Sequence, residues 1–174
     1  MTTTKWVLNP THSEITFKVK HLMISSVKGE FTSFEARIDG DDFTKSKIVA
    51  KLDAASIYTN NTDRDSHLKS AVFFDVEKYP NLTFEGKSIK KIDGDAYALL
   101  GILTVKGIAK EIDLHLEYGG QMKDPYGNMK SGFSVNGKIN RKDWGLNWNA
   151  ALEAGGVMVS DEVRINGELQ FVKK

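Results

Sequence analysis

Cysteine is absent from the chain, which removes disulfides, thiolate nucleophiles and cysteine-based zinc sites together. It does not fix a redox compartment, because disulfide-free proteins occur in both. A dominant charge is lacking too: 24 basic residues meet 23 acidic ones, for a formal net charge of +1. Net charge therefore offers no global field to steer nucleic acid or an anionic membrane toward the protein. No apolar run approaches the roughly 20 residues of a membrane-spanning helix. The start, Met1-Thr2-Thr3-Thr4-Lys5-Trp6-Val7-Leu8, lacks the apolar stretch of a secretory leader. With Met1 as the native start the expected address is cytoplasmic; a trimmed leader would make it periplasmic.

Catalytic signatures are equally scarce. Gly132-Phe133-Ser134-Val135-Asn136-Gly137-Lys138 has phosphate-loop spacing, but Ile139 stands where Ser or Thr is needed, and the run alternates like a strand. No Gly-x-Ser-x-Gly elbow occurs. The four histidines show no short metal-ligand spacing, and Asp39-Gly40-Asp41-Asp42 lacks the remaining ligands of a calcium loop. Neither a metal nor a cofactor is expected.

What is present is alternation. Ile15, Phe17 and Val19 face one way while Thr16, Lys18 and Lys20 face the other, the mark of a strand buried on one side. Val163, Ile165, Gly167, Leu169 and Phe171 alternate just as cleanly with Arg164, Asn166, Glu168 and Gln170. Eight strands are expected: 14–21, 27–38, 47–57, 82–89, 96–105, 111–118, 131–139 and 163–171. Asp39-Gly40, Asp93-Gly94, Lys106-Gly107 and Gly119-Gly120 supply turns between them. Phe31 and Phe34, three apart, predict a bulge or a change of face.

One segment follows a different period. Thr62-Asp63-Arg64-Asp65 has capping-box spacing, with Thr62 as the cap, and Leu68, Ala71 and Val72 recur at helical intervals. A short helix over 63–72 is expected between the third and fourth strands. Alternation alone leaves a barrel and a two-sheet sandwich both open. Strand length and the in-strand glycines Gly86, Gly101, Gly137 and Gly167 favour a closed, curved barrel without edges. No linker, low-complexity tract or repeat signals a second domain.

These residues also form an ordered set of motifs. It runs from Trp6-Val7-Leu8 and His12-Ser13-Glu14-Ile15-Thr16-Phe17 through Val27-Lys28-Gly29-Glu30-Phe31. Thr62-Asp63-Arg64-Asp65-Ser66-His67-Leu68, Phe73-Phe74-Asp75 and Tyr79-Pro80-Asn81-Leu82-Thr83-Phe84 follow. Gly101-Ile102-Leu103-Thr104-Val105-Lys106-Gly107, Ile139-Asn140-Arg141-Lys142-Asp143-Trp144-Gly145-Leu146 and the tail from Gly156 to Val163 complete it. In this set the chain resembles the YceI-like family from Trp6 to Phe171. The resemblance implies an all-β, eight-stranded antiparallel lipocalin-like barrel that holds a polyisoprenoid or isoprenoid quinone along a pore. It implies a homodimer as well. Many relatives carry a leader and are periplasmic, which the start of this chain does not match.

Candidate site residues divide by chemistry. Pattern alone favours Phe17, Val19, Phe31, Phe34, Phe73, Phe74, Phe84, Leu103, Leu116, Phe133, Trp144, Trp148 and Phe171 packing as a solid core, and the resemblance reverses this: they are expected to line the pore. Arg64, Asp65 and His67 at the helix start, with His21 at a strand end, are candidates for the ligand's head group. The structural alternative is a capping Asp65, an Arg64 paired to an acid and a satisfied His21. Arg141 and Asp143 are expected to pair and hold a loop beside Trp144 and Trp148. A lipid-binding or carrier protein follows, with no catalytic residues. An enzyme acting on a prenyl lipid and a packed-barrel interaction module are the alternatives.

Overall fold

Apolar residues at every second position give each strand one face that must leave water, and an antiparallel neighbour joined by a tight turn is the nearest place to put it. The structure, a computed structural model, describes residues 4–22, 24–71, 73–146 and 160–174. Its strands are β1 (Lys5–Leu8), β2 (Glu14–His21), β3 (Ser25–Phe31), β4 (Phe34–Asp39), β5 (Lys47–Asp53) and β6 (Ile57–Tyr58). A helix, α1 (Thr62–Lys69), precedes β7 (Asn81–Asp93), β8 (Ala96–Val105), β9 (Ile108–Lys123), β10 (Met129–Asn140) and β11 (Glu162–Lys173).

Pairing runs β1-β4-β5-β7-β8-β9-β10-β11 and returns to β1, where Trp6 meets Lys173 and Leu8 meets Phe171. That ring is closed, which excludes the sandwich. β11 also pairs with β2, β2 with β3, and β3 with β6. The first six segments are thus three long strands, each interrupted once. The turn Pro10–His12 splits the first, Thr32 and Ser33 the second, and the turn Ala54–Ser56 the third. Eight long antiparallel strands result, and all eight expected segments fall on them. The interruption between Phe31 and Phe34 is the predicted irregularity; both rings end up packed on the interior.

Two expectations are corrected. Gly119-Gly120 is not a turn: β9 runs through it to Lys123, with a bulge where the register slips opposite Gly132 and Phe133. The turn lies further on, where the Asp124 carboxylate accepts the N–H groups of Tyr126 and Asn128, both at 2.9 Å. The helix is shorter than expected and differently capped. Asn61, not Thr62, is the N-cap, its side-chain oxygen accepting the Arg64 N–H at 3.0 Å. Ala71 lies beyond the helix and exposed, and Val72 lies outside the described residues. Asp65 cannot complete a capping box because its carboxylate accepts the N–H and hydroxyl of Thr59, at the end of β6.

The interior has two apolar clusters stacked along the barrel. One gathers Phe31, Ile57, Phe73, Phe74, Leu82, Leu103, Val105, Ile112, Trp144 and Leu146 toward the α1 end. The other gathers Trp6, Leu8, Ile38, Leu99, Leu116, Phe133 and Phe171 toward the opposite end. Phe84 and Leu114 touch both.

Candidate ligand cavity

Large rings would block an eight-stranded barrel if they all pointed at its axis. Two of them are instead folded over the neighbouring strand, where glycine leaves room. A Cβ on Gly29 would sit 2.2 Å from Phe17 Cζ, and one on Gly101 would sit 2.4 Å from Phe84 Cζ. Neither glycine has a positive φ, so it is the missing side chain and not backbone freedom that the position requires. Ala36, Ala50, Val19, Val27, Val135 and Gly167 keep the remaining wall thin.

The result is a cavity of about 600 Å³ with an almost wholly hydrocarbon wall, within the range of roughly 300–1,000 Å³ usual for small-molecule sites. Its lining draws on every strand of the ring except β1, and on β2, β3 and β6. Ile15, Phe17, Val19, Val27, Val163 and Ile165 point inward yet remain only partly buried, because the space they face is empty.

Sequence-predicted pore residues separate into two groups. Phe17, Val19, Phe31, Phe73, Phe74, Phe84, Leu103, Trp144 and Phe171 line the cavity. Phe34, Leu116 and Phe133 do not: they pack in the cluster below it, where Phe43 sits 5.0 Å from Phe133 and 4.9 Å from Tyr118, centroid to centroid. Trp148 lies outside the described residues. An aliphatic wall of Ile15, Leu52, Ile57, Leu114, Ile139, Ile165 and Leu169, outside the sequence-predicted set, completes the lining. Strand alternation alone marks most of these positions.

The polar border is built on α1. Thr59, Asn61, Asp63, Arg64 and His67 all reach the cavity. Arg64 is oriented by Thr59, whose hydroxyl accepts from Nε at 2.8 Å and whose carbonyl accepts from Nη2 at 2.6 Å. No acid pairs with Arg64 among the described residues. Asp65 is buried but is not part of the lining; by holding Thr59 it fixes α1 to the rim. His21 closes β2, its side chain outside what is described. His12 is exposed, and His115 faces outward beside Glu117 at 3.5 Å.

A second cation borders the cavity. Arg141, only 2% exposed, donates from Nε to the Ser160 carbonyl at 3.0 Å and from Nη1 to that of Leu146. Its acid neighbour is Asp161 at 3.7 Å and not the expected Asp143, which points to solvent. Burial lowers the Arg141 pKa and Asp161 partly restores it. Trp144 follows on the same turn and donates to the Leu103 carbonyl at 2.9 Å, which pins the turn against β8. Among the described residues no group of three or more His, Asp or Glu is placed to hold a metal.

A closed eight-stranded barrel with an apolar cavity is lipocalin-like in construction. Comparison with known proteins is specific: the model of the YceI-like domain matches residues 6–171, and the chain belongs to that family. A UPF0312 protein of Staphylococcus aureus is 40% identical over 173 residues, covering 97% of each chain. A YceI protein of Campylobacter jejuni is 38% identical, with a TM-score of 0.77, over 89% of this chain and 90% of that one. BcnA of Burkholderia cenocepacia shares the fold at 21% identity, with a TM-score of 0.81, over 94% of this chain and 98% of that one. A polyisoprenoid binding domain from Saccharophagus degradans shares it at 16% identity and a TM-score of 0.74, covering 97% and 98%.

Proposed function

We propose that the barrel binds a long-chain amphiphile, a polyisoprenoid or isoprenoid quinone, and carries it without reacting with it. The observation that carries this reading is the cavity of about 600 Å³ with a hydrocarbon wall, its charged groups Asp63, Arg64 and Arg141 gathered toward the α1 end and only Thr16 and Asn166 adding polar atoms along the strands. The solved neighbour from Saccharophagus degradans, described as polyisoprenoid binding, supports the ligand class.

The energetics follow from area. Each CH₂ removed from water contributes about 0.8 kcal/mol, so a twenty-carbon tail gains on the order of 16 kcal/mol. Association costs roughly 4–15 kcal/mol. Burial of the tail therefore exceeds the cost without a hydrogen bond, and it distinguishes poorly between tails of similar length. Selection falls to cavity length and to the border. Arg64 has five N–H donors, and Thr59 engages two of its nitrogens, so three N–H groups at the cavity border are left to serve a phosphate or quinone oxygen. His67 stands beside it on the same helix.

Native mass spectrometry of the protein expressed without detergent, with organic extraction of what it carries, tests this reading. A bound prenyl lipid or quinone is expected. Ligand-free protein that also refuses a prenyl quinone in titration would overturn it. Arg64→Leu is expected to weaken a ligand with a phosphate or quinone head by about tenfold while leaving a plain prenyl alcohol nearly unchanged.

A further inference from the structure

The near-zero net charge conceals an uneven surface. Lys28 on β3 stands directly opposite Lys18 on β2, Lys18 opposite Arg164 on β11, and Arg164 opposite Lys138 on β10. Four cations thus form one cross-strand row over four adjacent strands, all exposed and all on the outer face. Like charges placed opposite one another weaken a sheet, so such a row is not explained by folding. Lys138 has Glu162 at 3.8 Å, but Lys18, Lys28 and Arg164 have no acid within ion-pair distance among the described residues. No acidic residue occurs in the sequence between Glu14 and Glu30.

The same hairpin ends in exposed hydrocarbon. Leu22 and Ile24 flank its tip, and Ile24 is 86% exposed. Val19 and Val27, paired across the hairpin just behind the tip, line the cavity. The tip and the row therefore belong to the end of the barrel where the empty space lies. The far end also exposes hydrocarbon, at Ile92, Met122 and Tyr126, beside Lys90, Lys91 and Lys123; what differs is that Asp93, Asp95 and Asp124 share those hairpin tips and the aromatic cluster closes the interior behind them.

We infer that the β2–β3 hairpin and its basic row dock the barrel on an anionic phospholipid bilayer, with Leu22 and Ile24 entering the interface and the cavity end facing the membrane. The inference rests on the carrier reading, since a prenyl chain has to leave a bilayer to enter the cavity. Charge complementarity selects an anionic surface, and the apolar tip selects a bilayer over nucleic acid, which offers such side chains nothing at its backbone.

Co-sedimentation with vesicles of phosphatidylcholine alone, or with about 30 mol% phosphatidylglycerol, tests it. Binding is expected only with the anionic lipid, and it should weaken as salt rises. Each basic residue near such a surface is worth about fivefold in affinity, so Lys18→Glu, Lys28→Glu and Arg164→Glu combined should cost about a hundredfold or more. Ile24→Asp should cost several-fold more than Tyr126→Asp at the far end. Circular dichroism and uptake of a prenyl quinone from solution, expected unchanged in every variant, separate lost docking from lost folding or lost ligand binding. Equal binding to neutral vesicles, indifference to the triple substitution, or tighter binding to a single-stranded oligonucleotide would overturn the inference, even for a protein that takes up the quinone.

Discussion

The two ends of the barrel are built from the same strands with the same alternation, yet one is filled and the other is hollow. At the filled end Phe43, Tyr97, Tyr118, Phe133 and Phe171 form a chain of rings with centroids 4.9 to 5.7 Å apart, closed by Trp6. At the hollow end Phe31, Phe73, Phe74 and Trp144 pack at the border of the cavity, while valine, alanine and glycine thin the strand wall and the rings of Phe17 and Phe84 are turned aside over Gly29 and Gly101. Side-chain size at inward positions, not strand geometry, decides which half holds a guest.

Substitutions should separate the halves. The largest effect is expected from Phe133→Ala, which empties a buried ring site in the packed half and should cost about 3–5 kcal/mol in urea unfolding. Val27→Ala, facing the empty half, should cost about 1 kcal/mol or less, because few packing contacts are lost. Equal costs would erase the distinction. Gly29→Ala comes next: its Cβ cannot coexist with the Phe17 ring, so the ring must swing inward, at about 1–3 kcal/mol and with reduced capacity for ligand. Unchanged stability and unchanged prenyl-quinone titration would show that the ring is free to move elsewhere. Ala50→Phe places a ring in the empty half. Affinity should fall at least tenfold, about 1.4 kcal/mol, while the unfolding midpoint holds or rises; a lowered midpoint with intact affinity would mean that the half is already full.

The smallest effect concerns the β9–β10 hairpin at the filled end. The N–H of Asn128, with those of Tyr126 and the Lys130 ammonium, holds the Asp124 pKa below the ordinary carboxylate range. Its contribution is therefore present above the unfolded pKa and is lost as pH falls through the lower folded value. Asp124→Ala should speed amide exchange in residues 124–128 and leave ligand binding unchanged.

Much of the barrel was legible because period-two patterning is local: 14–21 and 163–171 each announce their inward face without reference to the rest of the chain. The closure of β1 on β11 was not, since a pair so distant in sequence leaves no local mark. Asn61 and Thr62 both suit an N-cap, and only the capture of Asp65 by Thr59 decides between them. The same long-range ambiguity governs the site. Phe34, Leu116 and Phe133 alternate as regularly as Phe17 and Phe84, and height along the barrel, which alternation does not encode, puts the first three in the filled half. Proximity in the chain points Arg141 to Asp143, whereas the acid that the fold delivers is Asp161, just before the last strand.

The hollow half is tested most directly by a crystal structure of the protein purified without detergent or added lipid. Elongated density is expected between Phe17, Leu103 and Val135, ending near Arg64. A lumen collapsed onto the rings of Phe17 and Phe84, with no room between them, would contradict it.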